Sequence, residues 1–409
     1  MIVERLRLVN VRAITEAEFE FSGGMNLLVG INGVGKSTVL DSLRFLFANA
    51  LSKLSSIKEN IDFKDTDLSI GQDFLMAEFF GKIENEKFNY LIHKPRQDFV
   101  VDEKKAGEVR GGVITNPSHN DFIIRPAIKP NQIKPIAVFF SPNRSVVSLR
   151  KSNKTAPFAI DSLEPRELQI QDFANWLLTL EALSKESNKA KAQLKALENT
   201  VSVFLGNCRD LRAEKDPKPT LLIEKNGKTL DVSQLSDGER GVLSLVLDLT
   251  FRLTQVNPNW ENPVRDGKAV VLIDELDLHL HPKWQREIVE RLEKTFPNCQ
   301  FIATTHSPQI VGEVPPEKIY ILPATGEKAF KPQQSLGMNT NWVLEHLMET
   351  SERKKSTEKE LQEIADLIES EEYEKAQYQL DELRKYLKGD DQELIRLQAR
   401  IDRFSLLKE

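Results

Sequence analysis

A glycine-rich segment near the N-terminus has the residue types and spacing of a phosphate-binding loop. Residues 30–37 read Gly-Ile-Asn-Gly-Val-Gly-Lys-Ser, which fits the pattern G-x-x-x-x-G-K-[ST]. Glycine lets backbone N–H groups wrap an anion, and the N-terminus of the following helix attracts negative charge. In such a loop Lys36 reaches the β- and γ-phosphates of a nucleotide, and the Ser37 hydroxyl binds Mg²⁺. The further candidate nucleotide-binding residues are Gly30, Asn32, Gly33, Gly35 and Thr38.

Two adjacent acids follow a second apolar segment, Val270–Ile273. A buried strand delivers the side chains at its carboxyl end to the edge where α/β sheets bind their ligands. There Asp274 can hold Mg²⁺, and Glu275 can polarise an attacking water as a catalytic base. An acidic helix start after an ordinary strand is the alternative interpretation of this pair.

Two shorter motifs accompany the phosphate loop and the paired acids. The sequence Leu-Ser-Asp-Gly-Glu at 235–239 precedes an apolar helix, which Ser236 can cap while Ser236 and Gly238 leave N–H groups open to an anion. The sequence Thr-Thr-His at 304–306 ends the next apolar segment, and His306 can donate a hydrogen bond to a γ-phosphate. Taken alone, the motif at 235–239 is compatible with a plain helix cap, and His306 is compatible with a structural histidine. Their order along the chain favours a role in nucleotide chemistry.

The elements that must position these residues follow from the apolar pattern. We predict strands at residues 2–11, 19–21, 25–29, 74–80, 88–92, 136–140, 221–224, 229–232, 269–273, 301–304 and 319–322. We predict helices at residues 37–50 and 168–205, from Gly238 and after Pro282, and a long loop from Lys104 to Pro135. Strands that alternate with helices predict an α/β fold with a mainly parallel, helix-covered sheet.

Composition narrows the class of protein. The 409 residues carry 56 Lys and Arg against 62 Asp and Glu, which gives a net charge of −6 and excludes a surface coated with positive charge. A local basic groove for DNA remains open. A hydrophobic fraction of 40% excludes a disordered chain, and no apolar run is long enough to cross a membrane. The only cysteines, Cys208 and Cys299, have no metal or redox spacing, so we expect reduced thiols and a cytoplasmic protein.

The four motifs together resemble those of the ABC-type ATPases, in particular the branch that contains the SMC, RecF and OLD proteins. The resemblance covers residues 1–50 and about 220–325. It implies an α/β fold, an ABC-type P-loop ATPase head with mixed and parallel sheets, a helical lobe and a C-terminal α-helical tail. It also implies ATP and Mg²⁺ as cofactors. By this resemblance, Ser236 and Gly238 of one subunit close over the ATP held by Lys36 of another, so that two subunits sandwich two nucleotides.

The resemblance extends to residues outside the four motifs. Arg12 resembles the basic residue that this branch places near the nucleotide. Asn143 or Arg144 stands where the branch has a glutamine loop, and neither is glutamine. Residues 278–282 resemble the loop after the paired acids, which lies at the dimer seam.

The residues after the paired acids also allow a different interpretation. Asp277, His279 and His281 could form a metal cluster. No matching ligand set is visible in the nearby sequence.

The predicted organisation is an ATPase domain at 1–330 and a helical tail at 331–409 for assembly or partner binding. Within the ATPase domain, residues 1–50 and 136–150 form the nucleotide-binding lobe and 160–210 a helical insertion. Residues 220–330 form the lobe that holds the paired acids and the Leu-Ser-Asp-Gly-Glu segment at 235–239, which is named the signature motif; the helix that follows it is the signature helix. Three apolar helical faces run through the tail, and a short helical unit must bury them. We therefore predict contact with a partner or subunit; packing on the ATPase core is the alternative.

The tail also bears on the kind of ATPase. The opening residues do not resemble a transporter subunit, the long arms of SMC and Rad50 are absent, and the tail is too short and too helical for the TOPRIM nuclease of OLD proteins. A compact ATPase of this form resembles the ATPase subunits of Septu and retron anti-phage systems, whose partner is an HNH nuclease; the ATPase of PARIS systems is similar.

From this resemblance we expect an ATP-binding and ATP-hydrolysing homo-oligomer that scaffolds and regulates a partner nuclease and has no nuclease site of its own. One alternative is a RecF-type repair ATPase that clamps DNA directly. The other is a nucleotide-binding scaffold with negligible turnover.

Overall fold

The fold is given by a computed structural model. It describes residues 1–54, 61–83, 86–96, 122–123, 136–148, 163–164, 168–257, 259–323, 328–351 and 353–406. The chain divides into two compact units, Met1–Val343 and Leu344–Glu409. Within the described ranges, every helix is too short or too polar to span a membrane.

The elements are numbered in chain order. The described strands are β1 (Ile2–Val11), β2 (Ile14–Glu20), β3 (Gly24–Val29), β4 (Phe74–Ile83), β5 (Glu86–Pro95), β6 (Phe122–Ile123), β7 (Ile136–Phe140), β8 (Val147–Ser148), β9 (Leu168–Gln169), β10 (Cys208–Glu214), β11 (Thr220–Lys225), β12 (Lys228–Asp231), β13 (Ala269–Ile273), β14 (Gln300–Thr305) and β15 (Ile319–Ile321). The described helices are α1 (Lys36–Leu54), α2 (Ile170–Ser184), α3 (Asn188–Phe204), α4 (Asp237–Val256), α5 (Pro263–Asp266), α6 (Pro282–Thr295), α7 (Pro308–Val311), α8 (Thr340–Leu347), α9 (Lys355–Glu369), α10 (Tyr373–Leu387) and α11 (Gln392–Leu406).

A five-stranded parallel sheet forms the centre of the first unit. Its strand order is β15-β3-β14-β13-β7, and each neighbouring pair is parallel. All residues of β7, β13, β14 and β15 are buried, as are all but the first of β3. Strands covered on both faces are expected to be continuously apolar, which explains the runs seen in the sequence. The sheet brings the carboxyl ends of β3, β13 and β14 to one edge.

A second, antiparallel sheet has the order β2-β1-β4-β5-β6. Helix α1 contacts strands of both sheets, and its predicted apolar positions Leu40, Leu43, Phe47 and Ala50 are all buried in the main core. The buried Gln300 joins the sheets directly, because its side chain donates to Val3 O and accepts from Val3 N, both at 2.8 Å. The predicted α/β class with mixed and parallel sheets is confirmed.

The helical lobe contains α2 and α3, which pack against each other and against β10. The single helical region predicted at 168–205 is two helices, because Ser187 begins a new one by accepting a hydrogen bond from Ala190 N. Strand β10 was not predicted. It pairs with β11 across a register shift between Arg209 and Arg212, which breaks the alternation by which a strand is recognised.

Several predictions fall partly outside the described residues, among them residues 160–162 and 165–167 of the predicted helical insertion. The loop expected from Lys104 to Pro135 lies outside them except for β6, which pairs with β5 and is therefore a strand rather than a loop. Residues 149–150 of the predicted nucleotide-binding lobe also lie outside.

The second unit contains α9, α10 and α11 with a core of their own. The buried apolar residues of this core are Leu361, Ile364, Ile368, Ala376, Leu380, Leu383, Leu394, Leu397 and Ile401. The three apolar faces seen in the sequence thus pack against one another. Most of each face is therefore buried within the unit itself, and the predicted contact with a partner or subunit stays a prediction.

Candidate nucleotide and magnesium site

The glycine-rich loop connects β3 to α1 at the carboxyl edge of the parallel sheet. Gly33 and Gly35 have φ of +88° and +104°, a region that side chains other than glycine rarely adopt. A Cβ on Gly33 would meet nothing within 4 Å, so the loop surrounds open space at that point. Asn32, Gly33 and Ser37 are exposed, whereas Lys36 and Thr38 are buried. This geometry fits a cradle that accepts phosphates from solvent.

The Lys36 ammonium is held inside the loop. Its Nζ donates to Gly30 O at 2.8 Å and to Ile31 O at 2.7 Å. Burial lowers the pKa of Lys36, while the charges of the nearby acids Asp274 and Glu275 oppose that shift. A charged amine already desolvated next to backbone carbonyls is ready to exchange those carbonyls for phosphate oxygens.

The two candidate magnesium ligands meet above the sheet edge. Ser37 Oγ donates to the Asp274 carboxylate, at 3.1 Å from Oδ2 and 3.3 Å from Oδ1. Adjacent ligands of an octahedral Mg²⁺ with Mg–O distances of about 2.0–2.1 Å lie about 2.9 Å apart. The hydroxyl and the carboxylate therefore fit two neighbouring positions around one Mg²⁺.

Thr304 orders both paired acids from the neighbouring strand β14. Its Oγ1 donates to Asp274 Oδ1 at 2.6 Å and accepts from Glu275 N at 2.7 Å. Glu275 has φ of +52°, which turns the chain sharply after β13. Among the described residues, no hydrogen bond or ion pair engages the Glu275 carboxylate, which leaves it able to accept a proton from water.

Arg144 approaches the same turn from the other side. It follows β7 in a 3₁₀ turn, Pro142–Ser145, and is almost fully buried. Its guanidinium donates to Asp274 O at 2.8 Å and to Glu275 O at 2.7 Å. The predicted glutamine-loop position therefore places a cation on backbone oxygens, and a cation cannot bind Mg²⁺. Asn143, the other candidate, is exposed.

His306 directly follows β14, and its backbone is bonded to Asp277. The Asp277 carboxylate accepts from Thr305 Oγ1 at 2.6 Å and from His306 N at 3.0 Å, which fixes the backbone of His306. Burial and the positive charge of Lys36 lower the pKa of His306, against the opposing effect of the acids. The imidazole is therefore neutral at pH 7 and can donate one hydrogen bond to a phosphate.

The signature motif sits at the N-terminus of α4. Ser236 is exposed, caps the helix and donates to Glu239 Oε2 at 2.8 Å, and Glu239 in turn pairs with Lys225. A Cβ on Gly238 would lie 2.3 Å from His279 O, so only glycine fits this approach to the loop after the acids. No hydrogen bond joins Ser236 to the phosphate loop within the described part of the chain.

Arg12 stands beside α1, in the turn between β1 and β2. It donates to Asp67 Oδ1 at 2.7 Å and to Asp41 Oδ2 at 2.8 Å. Asp41 lies one helical turn beyond Ser37 in α1, so the ion pair ties Arg12 to the helix that follows the phosphate loop. The predicted contact of Arg12 with nucleotide stays a prediction.

The alternative metal cluster is not assembled. In the residues that the structure describes, no group of three or more His, Cys, Asp or Glu side chains is arranged to hold a metal ion. His281 instead caps α6 by accepting from Lys283 N at 3.2 Å, and Asp277 is bound to β14.

A comparison with known families decides the class of this domain. The family model described as "AAA domain, putative AbiEii toxin, Type IV TA system" matches residues 25–312, more than half of the chain. The chain belongs to this AAA domain family. The matched span contains the phosphate loop, the signature motif, the paired acids and His306.

Two curated relatives align over most of their length. The chain is 29% identical over 472 residues to the "Retron Ec83 probable ATPase" of Escherichia coli, which covers 98% of this chain and 86% of that protein. It is 26% identical over 326 residues to the "Septu protein PtuA" of Bacillus thuringiensis, which covers 76% of this chain and 73% of that protein. The resemblance to retron and Septu ATPases is thereby confirmed.

One solved structure found by comparison is the "SMC head domain from Thermotoga maritima". It superposes with a TM-score of 0.42 at 14% identity and covers 82% of this chain and 100% of that one.

The sequence did not reveal the contacts that Thr304 and Arg144 make with the paired acids. Thr304 was noted only as a neighbour of His306, yet it bonds both paired acids. Arg144 was weighed only as a glutamine substitute. Both act through pairing between strands distant in sequence, and no local pattern signals that arrangement.

Proposed function

We propose that the chain binds ATP with Mg²⁺ and hydrolyses it, as a subunit of an anti-phage defence complex that regulates a partner nuclease. The single observation that carries the enzymatic part is the meeting of Ser37, Asp274 and Thr304 at one sheet edge beside Glu275, whose carboxylate has no hydrogen bond or ion pair among the described residues.

Each group has a defined role in the proposed reaction. Lys36 and the loop N–H groups bind the β- and γ-phosphates, and Ser37 and Asp274 hold Mg²⁺, which supplies neutralising charge for phosphoryl transfer. Glu275 accepts a proton from the attacking water. The His306 imidazole donates a hydrogen bond toward the γ-phosphate.

A sandwich dimer is the second part of the proposal. Ser236 is exposed, and the N-terminus of α4 offers N–H groups of the kind that bind anions. Within the described residues Ser236 bonds only along its own helix, with Glu239 and Arg240. Ser236 and Gly238 therefore suit a nucleotide brought by a second subunit.

The defence role is supported by the two relatives, whose names place them in retron and Septu systems. By the resemblance drawn from the sequence, the partner is an HNH nuclease and the chain itself does not cut DNA. A direct clamp on DNA, as in repair ATPases, is the competing proposal.

Two measurements on the full chain test the proposal. Phosphate release from ATP should require Mg²⁺, and the chain should co-purify with a nuclease encoded beside it. Absence of turnover would leave a nucleotide-binding scaffold. Tight DNA binding by the chain alone, without any nuclease in the purified complex, would favour the repair clamp.

A further inference from the structure

Arg144 has an unusual set of partners for a buried guanidinium. Besides its bonds to Asp274 O and Glu275 O, it reaches Leu276 O and Ser141 O at 3.4 Å each. All four acceptors are backbone carbonyls, and none is a carboxylate. The side chain therefore links the backbone after β7 to the backbone after β13, and it does not pair with a single acid.

The bonded carbonyls belong to the part of the chain whose geometry matters most. Strand β13 ends at Ile273, so the next carbonyls have lost their ladder partners and need other donors. The left-handed backbone of Glu275 costs free energy and persists only where its surroundings hold it. Arg144 supplies donors on one side of this turn, and Thr304 holds Glu275 N on the other.

The positive charge of Arg144 lies near several negatively charged side chains. Burial lowers the pKa of Arg144 to about 10, while the charges of Asp277, Glu275 and Asp274 oppose the shift. The guanidinium therefore stays protonated at neutral pH. A planar fork can bond two adjacent carbonyls at once, and an ammonium cannot reproduce that geometry.

The turn that carries Arg144 is in contact with the signature helix. Arg240 of α4 donates from Nε to Ser145 O at 3.1 Å. A Cβ on Gly241 would lie 3.7 Å from Ser145 Cβ and 4.0 Å from Arg144 Nε, so the helix packs directly on the turn. A continuous set of contacts runs from α4 through Pro142–Ser145 to the backbone of Glu275.

We propose that Arg144 is the positioning residue for Glu275, and that the Pro142–Ser145 turn links the position of the signature helix to that acid. This inference rests on the proposed ATP hydrolysis and adds its regulation. A nucleotide that contacts the N-terminus of α4 moves or holds the helix, and the turn passes that change to the base in the same chain.

The test compares three Arg→Lys variants of the full chain. Arg144→Lys keeps the charge but loses the fork, so kcat for ATP should fall about 10²-fold, the effect of misplacing a catalytic group by about 1 Å. The dissociation constant for ATP should change little, since the phosphate loop is untouched. Arg240→Lys should lower kcat in the same direction by a smaller factor.

The matched control is Arg291→Lys. Arg291 also donates to a backbone carbonyl, Phe204 O at 2.9 Å, but its bonds lie on α6 and the helical lobe rather than on the paired acids. We expect kcat to stay at the wild-type value in this variant. An unchanged kcat in Arg144→Lys, or equal losses in Arg144→Lys and Arg291→Lys, would overturn the proposal.

Hydrogen exchange gives a second readout that does not depend on turnover. Glu275 N and Leu276 N are both bonded to Thr304 and should be protected in the wild type. Their exchange should accelerate in Arg144→Lys and not in Arg291→Lys; unchanged exchange would overturn the positioning role. If the wild type hydrolyses no ATP, the proposed function fails, while the exchange result still decides the inference.

Discussion

The sheet edge that holds the paired acids and the N-terminus of the signature helix contrast in how they satisfy their polar groups. At the sheet edge, Ser37, Asp274 and Thr304 bond to one another within the chain. At the helix, Ser236 is exposed, and its hydroxyl bonds to Glu239 within the same helical turn. The bonds at the sheet edge join residues far apart in the sequence, whereas those of Ser236 stay within the first turn of one helix. Under the proposed sandwich, substitutions at the sheet edge act on a single chain, and a substitution of Ser236 acts on the assembly.

The largest effect should come from Glu275→Gln, which tests the sheet edge. The change keeps the side-chain volume and removes the proposed base, so turnover should fall by about 10²–10⁴-fold. ATP affinity should persist, because Lys36 and the loop are unaltered. Phosphate release and equilibrium binding measure the two quantities. Glu290→Gln, at an exposed site on α6, is the control, and wild-type hydrolysis by Glu275→Gln would refute the assignment.

Lys36→Ala removes the ammonium held against Gly30 and Ile31. A hydrogen bond to a charged group contributes about 1.5–3 kcal/mol, so ATP affinity should weaken by roughly 10- to 150-fold. Calorimetric titration of the folded variant measures this loss. An affinity equal to that of the wild type would show that the Lys36 ammonium does not bind the phosphates.

Thr304→Val tests whether a hydroxyl at the sheet edge contributes more to stability than a hydroxyl in helix α4. It leaves Glu275 N without its acceptor, so the free energy of unfolding should fall by about 1–3 kcal/mol. Thr250→Val in α4 is the matched control, since the buried Thr250 hydroxyl has no hydrogen-bond partner among the described residues. Denaturant titration compares the two variants, and equal destabilisation would contradict the role of Thr304.

The smallest effect on a single chain should come from Ser236→Arg, because Ser236 makes no contact with the phosphate loop in the described residues. Monomer affinity for ATP should remain at the wild-type value, while ATP-dependent dimerisation should be lost to the bulk and charge of the new side chain. Light scattering with and without ATP measures the dimer. Ser233→Arg, exposed just before the motif, controls for added charge. Normal dimerisation of Ser236→Arg would exclude the sandwich.

Local sequence patterns predicted the elements that appear in the sequence as an unbroken run of one kind of residue. Strands β7 and β13 were predicted with the bounds found, since each is an unbroken apolar run. The phosphate loop needs glycine and lysine at fixed spacing, so it too is visible locally. Strand β10 was missed because a register shift hides its alternation. The roles of Thr304 and Arg144 depend on which strands become neighbours, and residues far apart in sequence decide that.

The tail shows what apolar spacing leaves open. Its helices were predicted from apolar spacing, and the structure has them at Lys355–Glu369, Tyr373–Leu387 and Gln392–Leu406. Most of their apolar residues bury one another, so the apolar spacing does not require a partner, and partner contact stays a prediction. Amphipathic spacing predicts that a face is buried, and it does not say against what.

The strand order has a consequence for synthesis on the ribosome. Strand β3 pairs with β14 and β15, which are translated roughly 270 residues later. At a synthesis rate of about 5–20 residues per second, some 15–50 s pass between the synthesis of β3 and that of either neighbouring strand. During that interval an apolar strand with two open edges is a target for chaperones or for aggregation. A nascent chain that terminates before β14 therefore cannot form the central sheet and should be degraded rather than accumulate as a fragment that binds ATP.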